Sequence, residues 1–496
     1  MNISVIRYIL GWVIKIEAVL FILPCIVAIC YGEMEGIAYL ATMALCSVTG
    51  FIMTLKKPRS FVFYLKEGCV TTALSWISLG LFGCIPFMLT GEIPSFTDAL
   101  FETISGFTTT GASILSDVES LSYCSLFWRS FTHWIGGMGV LVFLLAVIPL
   151  TGGSNINLMR AESPGPSVGK LGPKIRDTAR LLYIIYISLT LLQIILLLFG
   201  GVTFFDALTT AFGTAGTGGF GIKNSSIAGY SPYVQWVVTV FMILFGVNFN
   251  AYYYVLYRKL RNALKMEEVR SYFIIIFVAI AIVFLCIYNN TMGVFSALRH
   301  SAFQVASIIT TTGFSTVDFN LWPETAKMVL VALMFIGACA GSTGGGIKVM
   351  RFVVMFKTVI KELSAYMHPK GVKKLKVDGK PVEHEVLRSI NVYMIVFIII
   401  FTISLLLISV EGKSFTTNFT AVAATINNIG PGLDLVGPTG NFGDFSIFSK
   451  FVLIFDMLAG RLELLPMLIL FYPPVWKETF TARVRSAHKK KQNKSK

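Results

Sequence analysis

Four short stretches of small residues, each containing a prominent glycine, are the part of this sequence best suited to chemistry. They read TTTGA at 108–112, AGTGGF at 215–220, TTTGF at 310–314 and NNIGPG at 427–432. Their spacing of roughly a hundred residues indicates internal repeats, with Gly111, Gly218, Gly313 and Gly430 as the equivalent glycines. Because glycine permits backbone angles that other residues avoid, neighbouring carbonyls can point toward one axis. Such carbonyls replace the water around an alkali cation, so four loops around one axis would form a pore.

The composition is that of a polytopic membrane protein with an all-α fold. Of 496 residues, 55% are hydrophobic and 14% are charged, whereas soluble domains carry about a quarter charged residues. Apolar runs of about twenty residues predict ten spanning helices. The predicted spans are 8–30, 36–55, 69–90, 123–150, 180–201, 233–256, 270–289, 326–350, 386–410 and 448–474.

A shorter apolar piece precedes each glycine stretch. The four pieces cover 97–108, 204–214, 297–308 and 416–427. Each is too short to span the bilayer, which predicts a re-entrant pore helix. Such segments occur at membrane depth only where they are buried in protein or line a watery cavity. The alternative is four helices in extracellular loops, but four pieces in register favour the pore.

The pattern of helix, pore helix, loop and helix predicts four repeats after an N-terminal helix pair at 1–55. The repeats cover 69–150, 180–258, 270–357 and 386–476, and a basic tail covers 477–496. Lysine and arginine concentrate between the repeats, so the positive-inside rule predicts cytoplasmic termini and outward-facing loops. The net charge of +15 then reflects membrane topology, and we expect no nucleic-acid partner.

The eight cysteines and five histidines are dispersed through the chain. Their spacing predicts neither a metal site nor a disulfide framework. An intramembrane enzyme would need clustered ionisable residues facing a cavity, and the predicted spans contain few. We therefore expect no enzyme and no bound cofactor, with a non-conducting receptor or scaffold as a further alternative.

A glycine-rich segment interrupts the eighth predicted span. It consists of Gly341, Ser342, Thr343, Gly344, Gly345 and Gly346. Glycine costs about 1 kcal/mol relative to alanine in a helix, and backbone groups freed within a membrane need partners. Arg461 in the tenth span needs acceptors, which the segment's carbonyls, Asp456 or Glu463 could supply. We interpret the segment and Arg461 as an intramembrane gate, with a purely structural clamp as the alternative.

Two further charged residues have structural interpretations. Lys348 is predicted to extend to the inner membrane edge, as long basic side chains do. Glu102, predicted at the start of the first pore helix, could concentrate cations at the pore mouth or stabilise the loop. The second role is favoured because acidic residues suit helix N-termini.

Several motifs in order resemble the Trk/Ktr/HKT superfamily of potassium transporters, within it the bacterial TrkH/TrkG uptake subunits. The resemblance covers nearly the whole chain, and the TVGYG form of ordinary potassium channels is absent from it. The motifs are FETISGFTTTGA in the first repeat, HWIGGMGV at 133–140, RAESPGP at 160–166, GACAGSTGGGIKV at 337–349, HPKGV at 368–372, NNIGPGL at 427–433 and MLAGRLE at 457–463.

The resemblance implies potassium as the transported ion and a specific set of ligand residues. Those residues are Thr109, Thr110, Gly111, Gly216, Thr217, Gly218, Thr311, Thr312, Gly313, Asn428, Ile429 and Gly430. It further implies that four key glycines favour potassium, whereas serine in the first loop admits sodium. A homodimer in the bacterial inner membrane and a cytosolic TrkA-like nucleotide-binding regulatory subunit are also implied. Symport of potassium with protons or sodium stays open as the alternative to a channel.

Overall fold

The chain is mostly helical. A computed structural model describes residues 1–58, 64–139, 175–288, 293–369 and 374–476, with backbone only at 175–179. The first half contains α1 Ile3–Leu20, α2 Ile22–Tyr31, α3 Gly36–Thr54, α4 Leu65–Gly83, α5 Ile85–Leu89, α6 Phe96–Phe107, α7 Tyr123–Met138, α8 Ile175–Phe199, α9 Phe204–Ala215, α10 Pro232–Phe245 and α11 Phe249–Leu256. The second half contains α12 Leu260–Lys265, α13 Glu267–Ile287, α14 Val294–Ile309, α15 Glu324–Ile336, α16 Val349–Met367, β1 Lys376–Val377, β2 Lys380–Pro381, α17 His384–Ser409, α18 Phe415–Ile426, α19 Ile447–Arg461 and α20 Leu465–Leu468.

Six described helices are long and apolar enough to cross a membrane, and a bent pair makes a seventh candidate. The six candidates are Ile3–Tyr31, Gly36–Thr54, Leu65–Leu89, Arg180–Phe199, Glu267–Ile287 and His384–Ser409. The bent pair is α10 and α11, which meet at 93°. The other three predicted spans contain α7, α15 and α19, which are shorter helices.

Four short helices, α6, α9, α14 and α18, lie within about three residues of the predicted apolar pieces. Three of them begin at a hydroxyl side chain that accepts a backbone N–H bond: Ser95, Thr203 and Ser414. Such caps satisfy donors that the first helical turn leaves free. All four helices end directly at one of the glycine stretches, so those stretches start from buried helix C-termini.

The helices that follow the glycine stretches all end early. The helices α7, α10, α15 and α19 have 16, 14, 13 and 15 residues, and each stops before it could cross a bilayer alone. The predicted sixth span over 233–256 is broken, since α10 ends at Phe245 and α11 begins at Phe249. At its break, Asn248 begins α11, and its side chain accepts a bond from the Asn250 backbone at 2.9 Å.

The eighth span is interrupted over a longer stretch than the glycine segment alone. The helix α15 ends at Ile336 and α16 begins at Val349. In the tenth span, α19 ends at Arg461, and Glu463 and Leu464 both have φ of 60°. A positive φ is rare for such residues, and it breaks this helix where the sequence predicts continuity.

The N-terminal helices pack against the first repeat. The Tyr39 hydroxyl lies 2.9 Å from the Ser125 hydroxyl, and Glu33 accepts the Cys124 backbone N–H at 2.9 Å. Glu33 therefore lies at the N-terminus of α7, where the helix dipole favours a carboxylate. These contacts support α7, which contributes to the site described below.

The structure describes only part of the segments that the sequence assigns to the cytoplasm. The Asp378-Gly379 turn joins β1 and β2 in an antiparallel hairpin, and Asp-Gly is a common two-residue turn between antiparallel strands. The RAESPGP motif and the basic tail from 477 onward lie outside the described residues.

Candidate functional site

The four glycine stretches meet in one closed ring. We call their residues loop 1 (108–111), loop 2 (216–219), loop 3 (310–313) and loop 4 (427–430). A methyl group on Gly111 would overlap the carbonyl oxygen of Gly218, and one on Gly219 would overlap that of Thr312. Likewise Gly313 faces the Ile429 carbonyl, and Gly430 faces the Thr110 carbonyl. Each loop therefore contacts the next, and loop 4 returns to loop 1.

The backbone shows which residues are equivalent in the four loops. Thr109, Thr217, Thr311 and Asn428 have φ of 54°, 53°, 58° and 56°. The residue after each donates its N–H to a carbonyl in the last turn of the preceding helix, as Thr110 does to Ser105 and Gly218 to Gly213, both at 2.9 Å. Gly218 therefore corresponds to Thr110 and not to Gly111.

The glycine equivalent to Gly111 is Gly219, whose φ of 80° compares with 77° at Gly111 and 82° at Gly313. The sequence alignment of loop 2 is thus wrong by one residue, and Gly216 corresponds to Thr108. The shift has a physical reason, because the residue that closes each loop needs a left-handed backbone and no side chain. Gly218 lacks that backbone, although it remains within the ring.

Three side-chain oxygens in the ring are buried without a hydrogen-bond partner among the described residues. They are Oγ1 of Thr109 and the Oδ1 atoms of Asn427 and Asn428. Buried polar atoms normally have partners, and a bound cation would supply one for these oxygens. The four short helices also end at the ring, where each helix C-terminus contributes about half a negative charge. The ring therefore suits a cation without containing a carboxylate.

A cavity of about 220 Å³ lies against the far ends of the loops. Its lining includes Gly111, Gly219, Gly313 and Gly430, one glycine from each loop. Because all four loops border the same cavity, an ion in it would reach the whole ring.

The segments that leave the ring bind one another around this cavity. Phe442 donates its backbone N–H to the Ser113 carbonyl at 2.8 Å, and Ile227 donates to the Ser315 carbonyl at 3.0 Å. The Asn224 side chain accepts the Val118 N–H at 2.7 Å. The first bond joins the segments that follow loops 4 and 1, and the second joins those that follow loops 2 and 3. The third joins the segments that follow loops 1 and 2. They hold the ring from outside.

Asp434 joins the segment after loop 4 to the start of α18. It accepts hydrogen bonds from Ser414 and, at 2.7 Å, from the Thr417 hydroxyl. These two bonds lower the pKa of the Asp434 carboxyl, since they favour its charged form. The carboxylate therefore stays ionised and holds this segment near the ring.

Glu102 stabilises loop 1, as the favoured interpretation of the sequence states. It is buried in the middle of α6 and accepts bonds from the Ile114 N–H at 3.0 Å and from Arg129 Nη2 at 2.7 Å. Arg129 also donates to the Gly221 carbonyl at 3.2 Å. Both side chains of this ion pair are at most 2% exposed.

Glu102→Gln is expected to destabilise the protein by about 3 kcal/mol, because removal of one partner leaves a buried charge uncompensated. The measurement is thermal unfolding of purified protein in detergent. Glu324→Gln is the matched control, since Glu324 is 84% exposed and pairs with Lys327 on the surface. The control is expected to change stability by less than about 1 kcal/mol. Equal melting temperatures for both variants would contradict a structural role for Glu102.

The glycine-rich segment lies against the helix ends of loops 3 and 4, opposite the cavity. The Gly345 N–H donates to the Thr311 hydroxyl at 2.6 Å. A methyl group on Gly344 would lie 3.0 Å from the Thr310 carbonyl oxygen, and one on Gly345 would lie 2.6 Å from that of Asn427. The backbone of the segment therefore lies in direct contact with loops 3 and 4.

Arg461 binds backbone carbonyls of this segment and of α7. It donates to Thr343 at 3.0 Å, to Gly137 at 3.0 Å and to Gly136. Of its two alternative partners, Asp456 accepts a bond from Ser404 at 2.7 Å, and Glu463 pairs with Arg351. Of the acceptors that the sequence leaves open, the glycine segment thus supplies one through the Thr343 carbonyl.

The Lys348 side chain is buried in the protein and does not extend outward to a membrane edge, so that prediction is wrong. The residue is 2% exposed, and its ammonium group donates to the carbonyls of Gly344 and, at 3.1 Å, Gly345. An unwound segment offers free carbonyls, and these bind the lysine inside the protein.

Two residues near the ring escape the sequence interpretation. Gly219 could be found by aligning the Gly-Phe pair that ends both AGTGGF and TTTGF. His133 is fully buried in α7 and binds Gly106 and Phe220. Nothing in the dispersed histidines predicts that position.

Comparison with known proteins adds an independent observation. The family model for TrkH, described as a cation transport protein, matches residues 37–477. The Trk system potassium uptake protein TrkH of Salmonella typhimurium is 34% identical over 489 residues, which cover 96% of this chain and 100% of that protein. The Trk system potassium uptake protein TrkG of Escherichia coli K12 is 32% identical over 483 residues, or 96% of this chain and 99% of TrkG.

A solved structure has a similar fold. The crystal structure of the potassium transporter TrkH from Vibrio parahaemolyticus superimposes with a TM-score of 0.85 at 31% identity. The match covers 96% of this chain and 100% of that one. The likeness therefore extends over the ring and the interrupted helices together.

Proposed function

The chain belongs to the TrkH family of cation transport proteins, and on that premise we propose that it takes up potassium through the four-loop ring. The observation that carries the proposal is the closed order of the loops, in which each closing glycine faces a carbonyl of the next loop. The relatives are named as potassium uptake proteins, which are not enzymes. Potassium is thus the transported ion, and no resident cofactor is implied.

The ring residues are proposed as the selectivity filter. The twelve sequence-predicted ligand residues lie in or beside the loops, and we add Gly219. Backbone carbonyls and the partnerless oxygens of Thr109 and Asn428 would replace the water around potassium. The short helices would favour the cation through their C-terminal dipoles, so the ion need not bind a carboxylate tightly.

We propose that the interrupted helices complete the membrane topology. The chain would then have ten spans and four re-entrant pore helices, with both termini in the cytoplasm of a bacterial cell. The short lengths of α6, α9, α14 and α18 support this assignment, since re-entrant helices end inside the bilayer. Four repeats around one axis would also explain the recurrent helix breaks.

The glycine segment and Arg461 are proposed as the gate beneath the filter. Their contacts at the helix ends of loops 3 and 4 support this position. A homodimer and a cytosolic TrkA-like nucleotide-binding subunit are proposed from the resemblance alone. Such a subunit would act on the gate from the cytoplasmic side.

Potassium/proton symport is the second candidate, and one observation favours it over sodium coupling. The Glu17 carboxyl is fully buried in α1, and neither of its oxygens has a hydrogen-bond partner among the described residues. A carboxyl in such surroundings is a possible proton carrier, because buried charges are costly within membranes. Reversal potentials under a proton gradient distinguish a symporter from a channel.

The test of the proposed function is ion flux into liposomes that contain the purified chain. Potassium uptake should greatly exceed sodium uptake, and protein-free liposomes give the background. Potassium flux at background, with and without a nucleotide-binding partner, would overturn the proposal.

Gly111→Ser is expected to lower the potassium/sodium permeability ratio by about tenfold, which corresponds to about 1.4 kcal/mol. The reason is that any side chain at this position would overlap the Gly218 carbonyl and displace loop 2. Reversal potentials in mixed potassium and sodium solutions measure the ratio. Gly293→Ser is the control, since a side chain there would have no atom within 4 Å. An unchanged ratio in folded Gly111→Ser protein would contradict the assignment of loop 1.

A further inference from the structure

Two side chains of α7 connect the first short helix to the two residues that directly follow loop 2. We call this pair, Arg129 and His133, the polar bridge. Arg129 joins Glu102 of α6 to the Gly221 carbonyl, and His133 joins the Gly106 carbonyl to the Phe220 N–H. The two partners on α6, Glu102 and Gly106, are four residues apart. The two bridge residues on α7 are also four residues apart, so each pair lies on one face of its helix and the two connections run in parallel.

The hydrogen bonds define the state of the His133 ring. The Phe220 N–H donates to Nε2 at 3.2 Å, so Nε2 must carry a lone pair. The proton is then on Nδ1, which donates to the Gly106 carbonyl at 2.8 Å. A neutral imidazole satisfies both groups at once, whereas an aliphatic side chain of similar size would satisfy neither.

Loop 2 is the loop that most needs such support. It has glycine at 218, where the other loops have Thr110, Thr312 and Ile429. A side chain on Gly218 would overlap the His133 imidazole, which therefore occupies the space that a side chain has in the other loops. Glycine leaves its backbone angles poorly restricted. Contact with the His133 imidazole therefore limits the conformations that loop 2 can adopt.

Among the described residues, the other three repeats have apolar side chains where the polar bridge would be. Counted from the residue before each helix, the positions equivalent to His133 in α10, α15 and α19 are Met242, Met334 and Met457. The positions equivalent to Arg129 are apolar as well: Val238, Leu330 and Leu453. The polar bridge is thus specific to the junction between loops 1 and 2.

We propose that His133 is a positioning residue for ion selectivity, which fixes the backbone at the end of loop 2 against α6 through its two hydrogen bonds. The inference rests on the proposed function, because it assumes that the ring selects potassium. His133 would touch no ion. It would act through Phe220 and Gly219, which determine where the carbonyls of loop 2 lie.

The test is His133→Met, which introduces the residue of the other three repeats. The potassium/sodium permeability ratio of reconstituted protein is expected to fall by about tenfold, a change of about 1.4 kcal/mol, while potassium flux persists. Met242→Leu is the matched control at the equivalent buried position of α10, and it should keep the wild-type ratio. Melting temperatures in detergent confirm that each variant is folded.

His133→Gln provides a conservative rescue, because its amide can both accept the Phe220 N–H and donate to the Gly106 carbonyl. We expect its permeability ratio to lie between those of His133→Met and the wild type. A wild-type ratio in folded His133→Met protein would overturn the inference and leave the proposed function intact. A ratio that fell equally in all three variants would also overturn it. Absence of potassium flux in the wild type would instead overturn the proposed function.

Discussion

Gly219→Ala is expected to abolish most of the preference for potassium, with the permeability ratio over sodium falling at least about tenfold. Gly219 has a φ of 80°, a conformation that costs a residue with a side chain roughly 1–2 kcal/mol. The added methyl group would also overlap the Thr312 carbonyl oxygen. Loops 2 and 3 would therefore have to separate, and the carbonyl ring would open at that junction.

Reversal potentials of reconstituted protein in mixed potassium and sodium solutions measure this effect. Gly229→Ala is the matched control in the segment that follows loop 2. Gly229 is exposed, and a methyl group there would meet only the Ser225 hydroxyl at 3.3 Å. If Gly219→Ala kept the wild-type ratio, then Gly219 would not be the equivalent of Gly111, and the ring would need another closing residue in loop 2.

The sequence predicts the elements around the ring well, because their signals are local. Apolar length predicts the six long helices and the four short ones, and the Asp378-Gly379 pair predicts its hairpin. The register of loop 2 was predictable in principle, since Gly219-Phe220 matches Gly313-Phe314. The Thr217-Gly218 pair is misleading because a second glycine, Gly219, follows it directly.

Contacts between repeats could not be predicted from the sequence. His133 meets Phe220, 87 residues away, and no local pattern encodes that pairing. Lys348 was misplaced for a related reason. A lysine after an apolar run normally extends to the membrane edge, but here an unwound segment supplies acceptors inside the protein. Buried polar residues thus depend on which backbone groups the tertiary fold leaves free.

The position of Arg461 among the four repeats bears directly on the proposed gate. It belongs to the fourth repeat, and its bonds reach Thr343 of the third repeat and Gly137 of the first. In a ring ordered 1, 2, 3, 4, the first and third repeats face each other across the axis. A side chain that joins both would therefore pass close to the path of an ion that leaves the proposed filter, and its positive charge would repel that ion.

Arg461→Ala is expected to raise potassium flux by about tenfold, equivalent to a population shift of about 1.4 kcal/mol toward an open gate. The change removes a cation from the path and frees the glycine segment from α7, since charge-assisted hydrogen bonds each contribute about 1.5–3 kcal/mol. The measurement is initial potassium uptake into liposomes at matched protein content. Arg270→Ala, at an exposed position of α13, controls for the loss of one positive charge and should leave uptake unchanged.

Arg461→Lys keeps the charge but lacks the planar donor set, so an intermediate flux would separate repulsion from anchoring of the segment. Unaltered flux in folded Arg461→Ala protein would contradict the assignment of the gate to Arg461 and the glycine segment.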